Sequence, residues 1–274
     1  MIEQHVSHYY NLLTNNRISG TPGNCLLQNP LFNDVHSFRL ERIIIPYTWY
    51  PVNSNNNTLI FNPAAAGNVT ATVPAGSYTT ATFITALQTA MDAVAGGPTY
   101  TATISTTTGL ITITQNAGTF TVDQTNSTIK YVMGLNPTGG TSTAANAFTS
   151  PNVINLNGSS SIIVRSKELT KYGTKSLHNG TLSEVVAVIP VNASWGSVMY
   201  FHPNFDVYQY ESKRSGNIDL YLTDQYENPI NMNGADWVMV LKFHTSKLSN
   251  TDLRHEFNVG NQDIYSALTF STKN

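Results

Sequence analysis

Residues 217–243, NIDLYLTDQYENPINMNGADWVMVLKF, limit most sharply what this chain can fold into. The stretch reads as two β-strands joined by a long polar connection. In the first, Ile218, Leu220 and Leu222 fall on one face, and Asp219, Tyr221 and Thr223 on the other. In the second, Trp237, Met239, Leu241 and Phe243 share a face, while Val238 and Val240 sit opposite. A side-chain period of two marks a strand, and apolar residues on both faces imply cover on both sides, here until Lys242. Between the strands, Glu227-Asn228-Pro229 and Asn233-Gly234 supply turn chemistry, since Pro fixes φ and Gly tolerates positive φ. Buried side chains of this size each stabilise a fold by roughly 1.5–3 kcal/mol. They are core residues, and the rest of the chain has to supply the strands that cover them.

The 274 residues suffice for one large β-domain or two smaller units. Hydrophobic residues make up 41%, which supports a packed core, whereas charged residues reach only 11%, far below the usual quarter or so. The surface must therefore be carried by Asn, Thr, Ser and Tyr. Such an exterior is poorly hydrated and suits a protein packed against neighbours. A net charge of −2 and the lack of a basic stripe argue against nucleic acid as a specific partner. The single cysteine, Cys25, permits no disulfide within one chain. The opening MIEQHVSHYYN has neither a basic nor an apolar leader segment, so no signal peptide is expected. No apolar run approaches the length of about 18 residues that a membrane span needs. Synthesis in a reducing compartment follows from these features.

Taken in order, residues 1–34 are mixed and polar and read as an N-terminal arm with at most one short strand. Residues 35–62 begin the compact domain. Phe38 and Leu40 alternate with Arg39 and Glu41, Ile43-Ile44-Ile45 indicates full burial, and Pro46 ends the ladder. Thr58-Leu59-Ile60-Phe61 reads as a second strand. Residues 63–149 change character and read as an inserted α+β unit. Between Ile43 and Val122 the only charged residue is Asp92. Phe83, Ile84, Leu87, Met91 and Val94 recur at spacings of three and four, which predicts a helix capped by Thr79 or Thr80 and stopped by Gly96-Gly97. TYTATIS and LITITQ form a hairpin around Thr107-Thr108-Gly109, GTFTV is a further strand, and NSTIKYVMGL a helical turn ending at Gly134. Residues 138–147, TGGTSTAANA, look like an exit linker. The β-pattern returns over 150–243, with strands at 153–156, 161–166, 184–190 and 196–201, and a weaker one at 207–210. The total is about eight, in runs rather than alternating with helices, which indicates a jelly-roll sandwich. Residues 244–274 carry scattered apolar side chains without a period and read as a C-terminal arm. The fold class is thus mainly β: a single jelly-roll with an inserted α+β unit and extended terminal arms.

No constellation of catalytic residues emerges, and the expectation is a protein that is not an enzyme. Cys25 reads as a small buried thiol, since a nucleophile would need a nearby base. His5 and His8 could share a metal only on a helix, and no partner carboxylate or cysteine accompanies them. Asp219, Asp224 and Asp236 suit strand ends and turns; a glycosidase pair or a calcium site is the competing use. Six N-x-S/T sequons, at Asn56, Asn68, Asn126, Asn157, Asn179 and Asn192, are what an Asn- and Thr-rich chain produces by chance. Tyr47, Trp49 and Tyr50 could stack a sugar, but on so uncharged a chain they fit core rim or subunit contact better. No catalytic, cofactor-binding or metal-ligating residue is assigned.

The order of elements resembles the penton, or vertex, proteins of virophages and Polinton-type DNA viruses. Three stretches carry the likeness: IIIPYTWYPVN leading to NTLIF; VPAGSYTTATFITALQTAM followed by TATISTTTGLITITQ, FTV and YVMGLN; and NVINLN through to VMVLKF. IDLYLTDQYENPINMNGADW is the most specific part. Together they span most of residues 36–243. The resemblance implies a homopentamer at a five-fold vertex of the virion, surrounded by a major capsid protein of double jelly-roll type, with the insert projecting outward. A host surface receptor could meet that insert. The alternative is a viral attachment or glycan-binding β-sandwich protein.

Overall fold

The computed structural model describes residues 4–28, 35–63, 67–94, 96–170, 177–178, 181–182, 184–203, 207–209 and 217–247. In chain order the first strands are β1 (Gln4–Leu13), β2 (Ser19–Thr21), β3 (Asn24–Leu27) and β4 (Val35–Pro46). Then come β5 (Thr58–Pro63), β6 (Val69–Thr72), α1 (Thr80–Val94), β7 (Tyr100–Ile104), β8 (Ile111–Gln115), β9 (Phe120–Asp123), α2 (Lys130–Met133) and β10 (Ala147–Thr149). The remainder comprises β11 (Ser161–Arg165), α3 (Lys167–Thr170), β12 (Leu177–His178), β13 (Thr181–Leu182), β14 (Val185–Pro190), β15 (Val198–Phe201), β16 (Val207–Gln209), β17 (Ile218–Asp224) and β18 (Val238–Lys247).

Two five-stranded antiparallel sheets form the sandwich. One has the order β1-β18-β4-β15, with β16 also on β4; the other is β14-β11-β17-β3-β2. Numbered along the chain, the eight strands β1, β3, β4, β11, β14, β15/β16, β17 and β18 alternate between the sheets except at β11 and β14, which are neighbours in one sheet, and this is the jelly-roll pattern. The inward faces meet in one core. Leu12, Phe38, Leu40, Ile43, Ile45, Met239, Leu241 and Phe243 come from the first sheet, and Cys25, Leu27, Ile162, Val164, Ile218, Leu220 and Leu222 from the second. The two strands within 217–243 have the expected faces, and they lie in opposite sheets. Trp237 enters the core with its indole Nε1 donating to Pro22 O at 2.7 Å.

The strand β4 shows how a bulge is written in sequence. Val240 pairs with Arg42 and Leu241 with Leu40, so β4 holds one extra residue at that step. The extra residue reverses the parity of the faces. Phe38 and Leu40 point inward on one side of it, Ile43 and Ile45 on the other, and Ile44 is only half-buried.

Residues 4–28 are not part of the arm expected of residues 1–34 from their polar composition. β1 is a ten-residue strand paired along its whole length with β18, and β3 pairs with β17. The sequence pattern instead points to residues 58–61 and 153–156 as strands of the roll. Those residues belong elsewhere: β5 pairs with β6 and β9, and 153–156 form no strand. At the other end, 244–247 continue β18, while 248–274 lie outside the described residues.

Residues 52–156 build a second core of their own, centred on Leu59, Phe61, Phe83, Leu87, Met91, Tyr100, Ile113 and Phe120. Thus the inserted unit begins earlier and ends later than its composition marks. Its strands form β6-β5-β9 and β10-β8-β7, with α1 packed on β6 and β7. α1 has the expected stripe, burying Phe83, Leu87 and Met91, although Val94 is exposed. Thr79 and Thr82 cap its start reciprocally: Thr82 N donates to Thr79 Oγ1 and Thr79 N to Thr82 Oγ1. Gly134 ends α2 at φ 72°, where a Cβ would meet Asn152 O at 2.2 Å. Residues 138–147 are not a free linker. Ser142 N donates to Val122 O, Ala145 N to Phe120 O and Gln115 N to Asn146 O, so the segment lies along the sheet edges. The unit enters and leaves at one point, since a Cβ on Gly158 would stand 3.0 Å from Pro51 Cα.

Candidate functional site

A cleft of about 530 Å³ opens where the two cores meet. The sandwich contributes the connection between β17 and β18, including Asp224, Tyr226, Asn228 and Asn231. The inserted unit contributes Thr128, Lys130 and Tyr131, and the crossing segment supplies Trp49, Tyr50 and the Asn53–Asn56 loop. Local chemistry fixes each wall. Asp224 accepts hydrogen bonds from Tyr226 N at 2.8 Å, Asn228 N at 2.9 Å and Asn228 Nδ2 at 3.0 Å, which closes the turn. Asn53 N donates to Asn56 Oδ1 at 2.7 Å, and Asn56 Nδ2 to Pro51 O at 2.9 Å. Asn233, at φ 50°, donates from Nδ2 to Thr48 O at 2.6 Å. Lys130 Nζ donates to Thr125 O at 2.8 Å.

Aromatic rings stand at the mouth. Tyr131 from α2 and Tyr226 from the sandwich stack at 5.9 Å between centroids with planes 11° apart. They remain 56% and 62% exposed. Tyr50 stacks on Trp195 at 6.2 Å. Trp49 lies at the cleft but is buried, packed on Tyr47 at 4.3 Å, and its Nε1 has no hydrogen-bond partner among the described residues. The Tyr47–Trp49 pair is therefore core, not a sugar platform. That agrees with the core-rim reading of these two residues. Tyr131 and Tyr226 lie 95 positions apart and become neighbours only through the junction.

The three aspartates do not come together as a catalytic pair. Asp219 accepts from Ser166 Oγ, Lys167 N and Glu168 N, capping α3. Asp224 holds the turn already described. Asp236 accepts from Thr14 Oγ1 at 2.9 Å and Arg17 Nη1 at 2.8 Å, tying β1 to the start of β18. Cys25 is buried in β3, and desolvation pushes its thiol up from 9.0 to about 11, so it stays protonated and unreactive at neutral pH. His5 and His8 lie on a strand, where the helical spacing that would join them does not arise. Among the described residues, no three His, Cys, Asp or Glu side chains group as metal ligands, and no helix is long and apolar enough to cross a membrane.

No family model and no curated protein matches the chain. Among solved structures, it is similar to the selenomethionine-labelled mavirus penton protein at 9% identity and a TM-score of 0.48. That superposition covers 89% of this chain and 100% of the other.

Proposed function

We propose that this chain is a structural capsid subunit that assembles as a homopentamer at a five-fold vertex of a virion and is seated among major capsid proteins of double jelly-roll type. It acts by assembly and not by catalysis. The observation that carries the reading is the strand order: β1-β18-β4-β15 faces β14-β11-β17-β3, with the inserted unit between the third and fourth strands of the roll, β4 and β11. The motif IDLYLTDQYENPINMNGADW, whose likeness to vertex proteins is the most specific, forms β17, the cleft turn and the approach to β18.

The surface agrees with assembly. Edge strands leave unpaired backbone groups, and soluble proteins usually guard them with charge. Here the edges carry apolar side chains instead. Tyr9 is exposed on β1, Val198 and Tyr200 on β15, and Val188 on β14. A closed ring needs two different faces per subunit, and the sandwich offers apolar edges on opposite sides of its first sheet. Native mass spectrometry tests the proposal. The expected species has five times the 29.9 kDa chain mass, either alone or after mixing with the major capsid protein. A chain that forms no pentamer in either condition and enters no shell overturns it.

A further inference from the structure

The cleft at the junction has a composition that vertex assembly does not require. We propose that it binds an uncharged oligosaccharide, with Tyr131 and Tyr226 as the stacking surface and the surrounding amides and hydroxyls reading the sugar's hydroxyl groups.

The rings come first. Tyr131 and Tyr226 are stacked and more than half exposed, one contributed by each unit. An exposed aromatic face on a soluble protein is a surface for something apolar and flat, and the C–H face of a pyranose meets that need. Because the two rings hold one another nearly parallel, little ordering remains to be done when a ligand arrives.

The polar groups decide the class of ligand. The wall is amide and hydroxyl: Asn55 and Asn231, with Ser54, Ser159 and Thr128, all line the cleft. A carboxamide both donates and accepts, as a sugar hydroxyl does. The wall is also held in place beforehand, since Asn53, Asn56, Asn228 and Asn233 spend their side chains on backbone and turn contacts. The charged residues lining the cleft are Lys130 and Asp224, and both are engaged internally. A phosphate, a sialylated glycan or a sulfated one would therefore find a single lysine, already tied to Thr125 O, with the Asp224 carboxylate on the same cleft. One further group fits the same reading: the buried Trp49 indole N–H, at the cleft, lacks an acceptor among the described residues. Buried donors ordinarily have partners, and a ligand oxygen or an ordered water would provide one.

The volume of about 530 Å³ lies within the range of small-molecule sites, roughly 300–1,000 Å³. It accommodates a short oligosaccharide, whereas a folded protein partner would need a far larger face.

The test uses the full chain on an array of multivalent neutral and acidic oligosaccharides, followed by titration of the best neutral sugar with tryptophan fluorescence as readout. The expected result is saturable binding of a neutral sugar that does not weaken with added salt. Tyr131→Ala and Tyr226→Ala should each lose about tenfold in affinity or more, with unchanged thermal unfolding, because both rings are on the surface. Absence of any neutral ligand on the array overturns the proposal. So does binding that survives both substitutions, or a preference for acidic sugars that fades with salt. None of these outcomes touches the vertex reading, which rests on the strand order and is tested by the mass of the assembly.

Discussion

The sandwich and the inserted unit are held together in different ways. In the sandwich, the partners that matter are remote in sequence. β1 pairs with β18 from Gln4↔Lys247 to Leu13↔Val238, and the buried Thr14 hydroxyl accepts from Trp237 N at 2.9 Å. In the inserted unit, the ties are local: β7 and β8 form a hairpin, and Asp92 Oδ1 accepts from Tyr100 N eight residues on. Charge is distributed just as unequally. Residues 52–156 contain three charged side chains, Asp92, Asp123 and Lys130, each with a hydrogen-bonded structural role. One chain thus carries two cores with separate means of closure, and each should respond to its own perturbations.

The largest expected effect comes from removing one partner of the comparison altogether. Replacing residues 52–156 by a short Gly-Ser linker should leave the sandwich folded, because the chain enters and leaves the unit where Gly158 touches Pro51. Circular dichroism during urea unfolding should show one cooperative transition retained. A chain without any cooperative unfolding would mean that the two cores depend on each other. Next in size is Trp237→Ala. It removes the largest fully buried side chain and strands the Pro22 carbonyl, at a cost of about 3–5 kcal/mol. The sandwich transition should move to lower urea while that of the inserted unit stays in place.

Acid should act on the inserted unit through Asp123. Hydrogen bonds from Asn126 Nδ2 at 2.8 Å and Asn126 N at 3.0 Å hold its carboxyl below the ordinary 3.8, with Lys130 adding to the effect. A carboxyl held low in the folded state contributes stability above its ordinary value and loses it as pH falls through the depressed one. Unfolding of the unit should therefore become easier below about pH 4, and Asp123→Asn should flatten that dependence. An unchanged acid slope in the variant would assign the effect to other groups.

The same division explains what could be read from sequence. The helix with its Thr cap, the hairpin at Gly109 and the turn ending at Gly134 were legible because each is specified by residues within a few positions. The strands β17 and β18 were legible because five or more alternating residues suffice. β1 was not. Of its inward positions whose side chains are described, only Leu12 is strongly apolar and fully buried, and what makes it a strand is ten residues of β18 lying beside it. The extent of the inserted unit failed for a related reason: Leu59 and Phe61 have the pattern of a sandwich strand, and only their partners on β6 and β9 place them elsewhere. The cleft was the least visible feature, because its Asn loop and its two tyrosines signal nothing until the units meet.

Cys25 offers the finest test, since the one thiol in the chain reports on the sandwich alone. It is buried in β3 between the sheets, and desolvation outweighs the opposing pull of the Arg17 charge. Iodoacetamide at pH 8 should leave it unmodified in the native protein. Under partial denaturation, labelling should follow the sandwich transition and ignore loss of the inserted unit. The alkaline side has a definite sign as well. A thiol that ionises near 9.0 when unfolded, but only near 11 when folded, favours unfolding increasingly over that interval. Cys25→Ala should therefore show less destabilisation between pH 9 and 10 than the parent chain. If the thiol reacts as soon as the inserted unit melts, the two cores open together, and the separation drawn from their packing does not hold in solution.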